Sequence, residues 1–358
     1  MRHIKTKCKR LLPVALFIIM LTSCAAPAVQ ENTAFSAEKY QRQVFAMDTV
    51  MILTAYGENA EAALDAAEDK IHALEEDLDP ESATGSVYAI NAGAGSQVVV
   101  SRDCYNIMST SMGRFYDAGG ALDIGVYPLS KAWGFIGGSG HVPEEAEINS
   151  LLSAKNTGAI MLDESACAVT IPAGMEISLG AAAKGYTAQA VIDLMADMGV
   201  ECAILSLGGN VQTLGQSKPD SSLWQVAVVD PHDAGSYVGI LSVGERAVVT
   251  SGGYQRFFEQ DGVTYIHILD PATGYPVEND LLSVTVVTAD GTEADALSTT
   301  LFVLGKDGAL DYYESRGGFE LVLITKDNTV IVTPGLAESF SENREGYTYE
   351  YIASGYFD

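Results

Sequence analysis

From Val44 to Thr333 the chain runs without a linker or a low-complexity block, and strand-length apolar runs alternate there with segments of helical period. A series of that kind closes around shared cores, because no polar break separates one set of apolar faces from the next. VFAMDTVMILTAYG, from Val44, reads as a strand. Asn59 caps a helix to about Leu78, with Leu64, Ala67, Ile71, Leu74 and Leu78 on one face, and Asp79-Pro80 ends it. Ser101 caps a second helix whose Tyr105, Met108, Met112 and Phe115 are spaced for burial, and a loop-rich stretch follows from Gly119 to Val142. Pro143 opens a short acidic helix, AIMLD and AVTI read as a hairpin, and residues 181–198 form a third helix that Gly199 closes before the strand CAILSLGGN. From Trp224 to Leu269 successive strands are predicted. LLSVTVVTAD is a buried strand, TEADALSTTLFVLG a helix capped at Thr292, and LVLIT and TVIVT are the last two strands. The predicted class is α+β, a single unit of mixed sheets and helices over residues 44–350. Each half places a helix among strands, the pattern an internal duplication leaves.

The start of the chain is an address. Arg2, Lys5, Lys7, Lys9 and Arg10 form a basic region, and the apolar run Leu11 to Thr22 is too short for a stable membrane span but suits a secretory signal. It ends in Leu21-Thr22-Ser23-Cys24, which resembles a bacterial lipobox. Residues 1–23 are therefore expected to be a lipoprotein signal peptide, with Cys24 lipidated (palmitate included) and residues 24–43 a flexible tether. The protein is expected at the cell membrane, lipid-anchored and facing outside the cytoplasm, on the extracytoplasmic or periplasmic side.

Charge narrows the partners. Lys and Arg number 20 against 47 Asp and Glu, for a net charge of −27. Cleavage before Cys24 removes five basic and no acidic residues, leaving 15 against 47, or −32. No cluster of basic residues follows residue 10, so a nucleic-acid partner is excluded. So acidic a surface repels anionic headgroups, which makes a covalent lipid the sensible means of membrane attachment. Cys104, Cys167 and Cys202 show no CxxC spacing and cannot all pair, which argues against a disulfide framework or a zinc site.

Three segments carry possible chemistry. Asp295 and Thr299 lie four apart on a predicted helix, so their oxygens share a face. One carboxylate and one hydroxyl suit Mg²⁺, which keeps waters and accepts substrate phosphates, although an Asp in a first helical turn commonly serves only the helix dipole. His267, in TYIHILDPATGYP, sits near a strand end just before the Asp270-Pro271 turn, where a general base or a structural histidine both fit. SLGAAAKGYTAQ, residues 178–189, leads small residues into a helix and adds Lys184, a pattern suited to phosphate or to close packing. It is neither a P-loop nor a dinucleotide fingerprint.

Taken in order, AMDT (46–49), ALDIGVYPLSKAWGF (121–135), LGAAAKGYTAQ (179–189), LSLGGN (205–210), TSGGYQRFF (250–258), HILDPATGYP (267–276) and TEADALSTTLFVLG (292–305) resemble the ApbE family of FAD:protein FMN transferases, many of them bacterial lipoproteins. The resemblance implies a T-fold-like catalytic unit. It also implies Mg²⁺-dependent transfer of FMN from FAD, through a phosphodiester, to a threonine of an exported flavoprotein, with release of AMP. By the same resemblance Asp295, Thr299 and the main-chain carbonyl of Ala181 hold Mg²⁺, and His267 takes the acceptor's proton. Met47, Ala121, Leu122, Asp123, Ser178 and Lys184 contact FAD, and the acceptors are flavoproteins of membrane electron-transfer complexes. The chain departs from the family pattern at Ser178, where Asp is frequent, at Ala272, where Arg is usual, and at Leu78, which offers apolar contact where a stacking aromatic is common. Two alternatives stay open: a Mg²⁺-dependent FAD pyrophosphatase yielding FMN and AMP, and a non-catalytic flavin-binding lipoprotein.

Overall fold

The computed structural model describes residues 38–138 and 140–353, so Cys24, the signal peptide and most of the expected tether lie outside the described residues. Nine strands form the main sheet: β1 (Lys39–Ala46), β2 (Thr49–Tyr56), β3 (Cys202–Leu207), β4 (Asn210–Leu214), β5 (Ala247–Gly252), β6 (Leu281–Thr288), β7 (Glu320–Thr325), β8 (Thr329–Val332) and β9 (Thr348–Tyr351). Their spatial order follows their chain order, with every pairing antiparallel except β8 with β9. The helices are α1 (Ala60–Leu78), α2 (Ser86–Ala92), α3 (Arg102–Asp117), α4 (Tyr127–Ala132), α5 (Glu145–Ala154), α6 (Ala183–Asp197) and α7 (Gly291–Arg316). This is a mixed α+β unit, as the alternation of strand and helix periods requires.

Two apolar layers join sheet to helix. Val44, Ala46, Met51, Leu53, Ala203, Leu205 and Leu207 pack against Leu64, Ala67 and Ile71 of α1 and Val191, Ile192 and Met195 of α6. Farther along the sheet Val249, Val284, Val286, Leu321 and Leu323 cover Leu297, Leu301 and Phe302 of α7. A third cluster sets α2 and α3 against the segments around Leu122 and Leu179.

Several sequence expectations change here. The single strand expected from Val44 is a hairpin: β1 begins at Lys39, inside the stretch expected as tether, and turns at Met47-Asp48. Both turn residues adopt the left-handed conformation, with φ of 50° and 59°, which non-glycine residues rarely do. Helix α2 carries no sequence signal of its own, since seven residues are too few for a clear period. The cap of α7 is Asp290, whose carboxylate accepts the Glu293 N–H at 2.9 Å, and Thr292 lies buried within the first turn. At Gly305 (φ 74°) the backbone leaves helical geometry, so the segment ending there behaves as a helix of its own.

Candidate active site

The hairpin register brings a set of turns to one end of the main sheet. Met51 pairs with Leu207, Leu207 with Asn210, and Val249 with Asn210, so the Met47-Asp48 turn, the Gly208-Gly209 turn and the end of β5 are neighbours. The Thr250 N–H donates to the Gly209 carbonyl at 3.1 Å, which fixes the last two together. The Met47 N–H donates to Glu75 Oε1 of α1 at 2.6 Å, which anchors the strained turn. Met47 and Ala181 both pack on the apolar cluster that holds Leu122, Leu179 and Ala296, so four of the segments singled out in sequence converge there.

Asp295 is buried at 4% exposure, and its Oδ2 accepts the Gly185 N–H at 2.8 Å. That bond requires α6 and α7 to cross closely. Side chains are absent from both crossing residues, Gly185 and Gly291, and a methyl at 185 would collide with the Gly291 carbonyl and with Asp295 Cβ. Gly185 lies four residues after Ala181, so its N–H is the one that an α-helical bond would have given to the Ala181 carbonyl. Among the described residues no backbone N–H outside regular helices closes on that carbonyl. Burial pushes the Asp295 carboxyl above the usual carboxylate range, against the pull of the Lys184 charge, the Gly185 N–H and the Asn210 carboxamide. Asn210 is 2% exposed, and its Nδ2, turned toward Asp295, completes no hydrogen bond of ordinary geometry among the described residues.

Three oxygens are of the kind that could hold a hard divalent cation. They are the remaining Asp295 oxygen, the Thr299 hydroxyl one turn along α7, and the Ala181 carbonyl. Among the described residues no group of three or more His, Cys, Asp or Glu, the set a zinc ion usually takes, gathers in one place. One carboxylate with neutral oxygens leaves coordination positions for waters and phosphate, as Mg²⁺ prefers. Desolvation that raises the Asp295 pKa is also what an adjacent cation would offset.

His267 follows a short strand (Val263–Ile266) that pairs with Phe257–Gln260. Both its backbone N–H and its Nδ1 meet the Arg256 carbonyl, at 3.0 and 3.1 Å. A carbonyl only accepts, so Nδ1 carries the proton, and in the neutral ring Nε2 keeps its lone pair. Burial first, then the Arg256 and Lys184 charges, push the His267 pKa down to about 4, and the ring is neutral at neutral pH. Lys184, in the first turn of α6, is half-buried, makes no ion pair among the described residues, and acts on both His267 and Asp295.

The remaining candidates divide. Ser178 lies beside the 121–125 segment, its N–H on the Ile124 carbonyl at 3.1 Å, and its hydroxyl accepts the Gly180 N–H at 3.3 Å. Ala121 and Leu122 are almost wholly buried. Asp123 is 7% exposed and its carboxylate is fully engaged, by Lys155 Nζ at 2.5 Å, Thr157 Oγ1 at 2.5 Å and the Gly125 N–H at 2.8 Å. With that carboxylate occupied, the main-chain atoms of residues 121–123 are the groups best left to meet a ligand. Leu78 is a core residue, 6% exposed, and offers a ligand no apolar surface. Asn210, Gly185 and Ser251 fall inside segments marked in the sequence (205–210, 179–189 and 250–258) but without roles of their own, and Glu75 falls in none. Glu75 in particular has no local signal, since its role is to hold a turn 28 residues away.

Residues 47–323 match the ApbE family. The FAD:protein FMN transferase of Klebsiella pneumoniae (strain 342) is 35% identical over 312 residues, which span 86% of this chain and 96% of that protein. The protein of the same name from Treponema pallidum (strain Nichols) is 31% identical over 320 residues, 84% of this chain and 88% of its own. Among solved structures, the ApbE protein of Thermotoga maritima superposes with a TM-score of 0.77 at 26% identity, covering 86% of this chain and 100% of that one. The apo form of the Pseudomonas stutzeri flavinyl transferase ApbE gives 0.75 at 26% identity, covering 86% and 98%. The chain belongs to the ApbE family.

Proposed function

We propose that this protein is a Mg²⁺-dependent FAD:protein FMN transferase, acting on a threonine of an exported flavoprotein while tethered to the outer side of the cell membrane through lipidated Cys24. The observation that carries the proposal is a neutral histidine whose Nδ1 is held by a carbonyl, leaving the Nε2 lone pair, and a buried carboxylate, both within the field of Lys184, which makes no ion pair among the described residues. The names of the relatives, FAD:protein FMN transferase in both cases, support the same reaction. The proposed anchor is covalent; no helix among the described residues is long and apolar enough to cross a membrane.

In this reading the acceptor threonine Oγ attacks the FMN-side phosphorus of FAD. A new P–O bond forms to the threonine, the P–O bond to the AMP phosphate breaks, and AMP leaves. His267 Nε2 receives the hydroxyl proton, and the Arg256 carbonyl holds the ring in the tautomer that can do so. Lys184 draws the diphosphate into an otherwise acidic protein and stabilises the charge that gathers on it. Asp295, Thr299 and the Ala181 carbonyl would hold Mg²⁺, which when bound neutralises diphosphate charge. Met47 and the backbone of residues 121–123 and 178–180 form the nearby wall for the nucleotide.

The test is incubation of the mature protein with FAD, Mg²⁺ and candidate exported flavoproteins, followed by flavin fluorescence in denaturing gels. A fluorescent acceptor band that requires its threonine is expected. Free FMN and AMP without a labelled acceptor would instead identify a pyrophosphatase, and bound FAD with no cleavage would identify a binding protein.

A further inference from the structure

Two serines that lie outside the proposed ligand set form a chain with Thr299. Ser251, at the end of β5, is 9% exposed, and Ser298 on α7 is fully buried. Ser298 Oγ lies 3.0 Å from the Asp295 carbonyl oxygen, Ser251 Oγ lies 2.8 Å from Ser298 Oγ, and Thr299 Oγ1 lies 3.2 Å from Ser251 Oγ. Each hydroxyl has one proton to give.

The direction of the chain follows by elimination. The Asp295 carbonyl can only accept, so Ser298 spends its proton there. Ser298 must then accept from Ser251, and Ser251, its proton spent, must accept from Thr299. The protons run from Thr299 to Ser251 to Ser298 to the main chain of Asp295, and every other order leaves two oxygens at hydrogen-bond distance with no proton between them.

We infer that Ser251 and Ser298 are positioning residues for the cation site: they draw the Thr299 proton away from it and present the Thr299 lone pairs toward it. This rests on the proposed role of Asp295 and Thr299 as ligands and adds what orients one of them. The hydroxyl of an unconstrained threonine turns freely and offers a cation its proton as readily as its lone pairs. The chain ends on the residue whose side chain is the other ligand, so the two ligand groups are locked to each other through β5. Ser298→Ala exposes this logic, since Ser298 itself would touch no ion. Without it the Ser251 proton turns to Thr299 Oγ1, and the Thr299 proton is left to face the cation.

The experiment is titration of Mn²⁺ into the FAD-loaded protein without acceptor, with free Mn²⁺ read by electron paramagnetic resonance and FAD affinity measured separately in chelator. Ser251→Ala and Ser298→Ala are each expected to weaken Mn²⁺ binding by about 10–100-fold, the usual cost of losing a partner that orients a metal ligand. Metal-free FAD affinity should stay within about twofold, and Ser251→Thr, which restores a hydroxyl, should recover most of the Mn²⁺ affinity. Wild-type Mn²⁺ affinity in both alanine variants, with affinity lost in Asp295→Ala and Thr299→Ala, overturns the positioning role and leaves the ligand assignment standing. Undiminished affinity in Asp295→Ala and Thr299→Ala overturns the ligand assignment and the positioning role with it.

Discussion

Gly185→Ala sets two physical effects against each other. In an isolated helix the change stabilises by about 1 kcal/mol, because alanine is the better helix former. In this protein the added methyl would lie 2.9 Å from the Gly291 carbonyl carbon, with the Gly291 oxygen and Asp295 Cβ closer still. Contact distances of roughly 3.5–4.0 Å are needed, so α6 and α7 must separate by more than about half an ångström to relieve that contact alone, and by more to clear the two closer atoms. Overpacking of this kind costs about 1–3 kcal/mol. Separation also stretches the 2.8 Å bond from the Gly185 N–H to Asp295 Oδ2, and a hydrogen bond to a charged acceptor contributes about 1.5–3 kcal/mol. Net destabilisation of roughly 2–4 kcal/mol follows, which for a chain of this size lowers Tm by about 4–8 °C. Differential scanning calorimetry with and without Mg²⁺ and FAD measures it. The variant should melt lower and lose most of the ligand-dependent rise in Tm. An unchanged or higher Tm, as helix propensity alone dictates, would refute the close-crossing argument.

Other consequences follow from the same geometry. With Mg²⁺ saturating, activity should persist as pH falls below 6.5 and be lost only near pH 4, where His267 takes up its proton; an acid limb at 6.5 in the pH–rate profile would contradict a desolvated ring held through Nδ1 on the Arg256 carbonyl. Because the folded pKa lies below the unfolded one, the His267 contribution to stability is intact above pH 6.5 and is lost between about 6.5 and 4, which chemical denaturation of wild type and His267→Gln across that range resolves. Glu75→Gln should leave the fold intact but loosen the Met47-Asp48 turn, raising the KM for FAD several-fold with a smaller change in kcat; equal loss in both would place Glu75 in the chemistry instead. Lys184→Met should raise the His267 pKa, moving the acid limb upward, while weakening FAD binding; an unmoved limb would show that the lysine does not reach the histidine.

Much of the scaffold was legible because local signals agreed with the fold. Ser101 caps its helix as expected, its hydroxyl accepting the Cys104 N–H at 2.9 Å, whereas Asn59 stands at the N-terminus of α1 without a side-chain capping bond, its amide donating to the Met198 carbonyl instead. The break at Met47-Asp48 was hidden, because hairpin turns of this kind ordinarily announce themselves with Asn-Gly or Asp-Gly. Here the turn is imposed from outside, by Glu75 on α1 and by Gly208, whose bare Cα lets Thr49 approach. The Asp290 cap carries little sequence signal, because a Gly directly after it reads as a turn rather than as a first helical residue. At the site, the i,i+4 spacing of Asp295 and Thr299 was visible, but Ser251 lies 48 residues from Thr299 along the chain and reaches it only through the β5–β6 pairing over α7. Asp123 shows the converse: an acidic residue in a telling segment whose carboxylate is consumed by Lys155 and Thr157.

The most direct measurement is an anomalous difference map from crystals soaked in Mn²⁺ and FAD. The account requires a single strong peak within coordination distance of the Asp295 carboxylate, Thr299 Oγ1 and the Ala181 carbonyl oxygen, with the FAD diphosphate completing the shell and His267 Nε2 facing the FMN-side phosphorus. A diphosphate bound elsewhere on the protein, or a Mn²⁺ peak with no contact to Asp295, would contradict it.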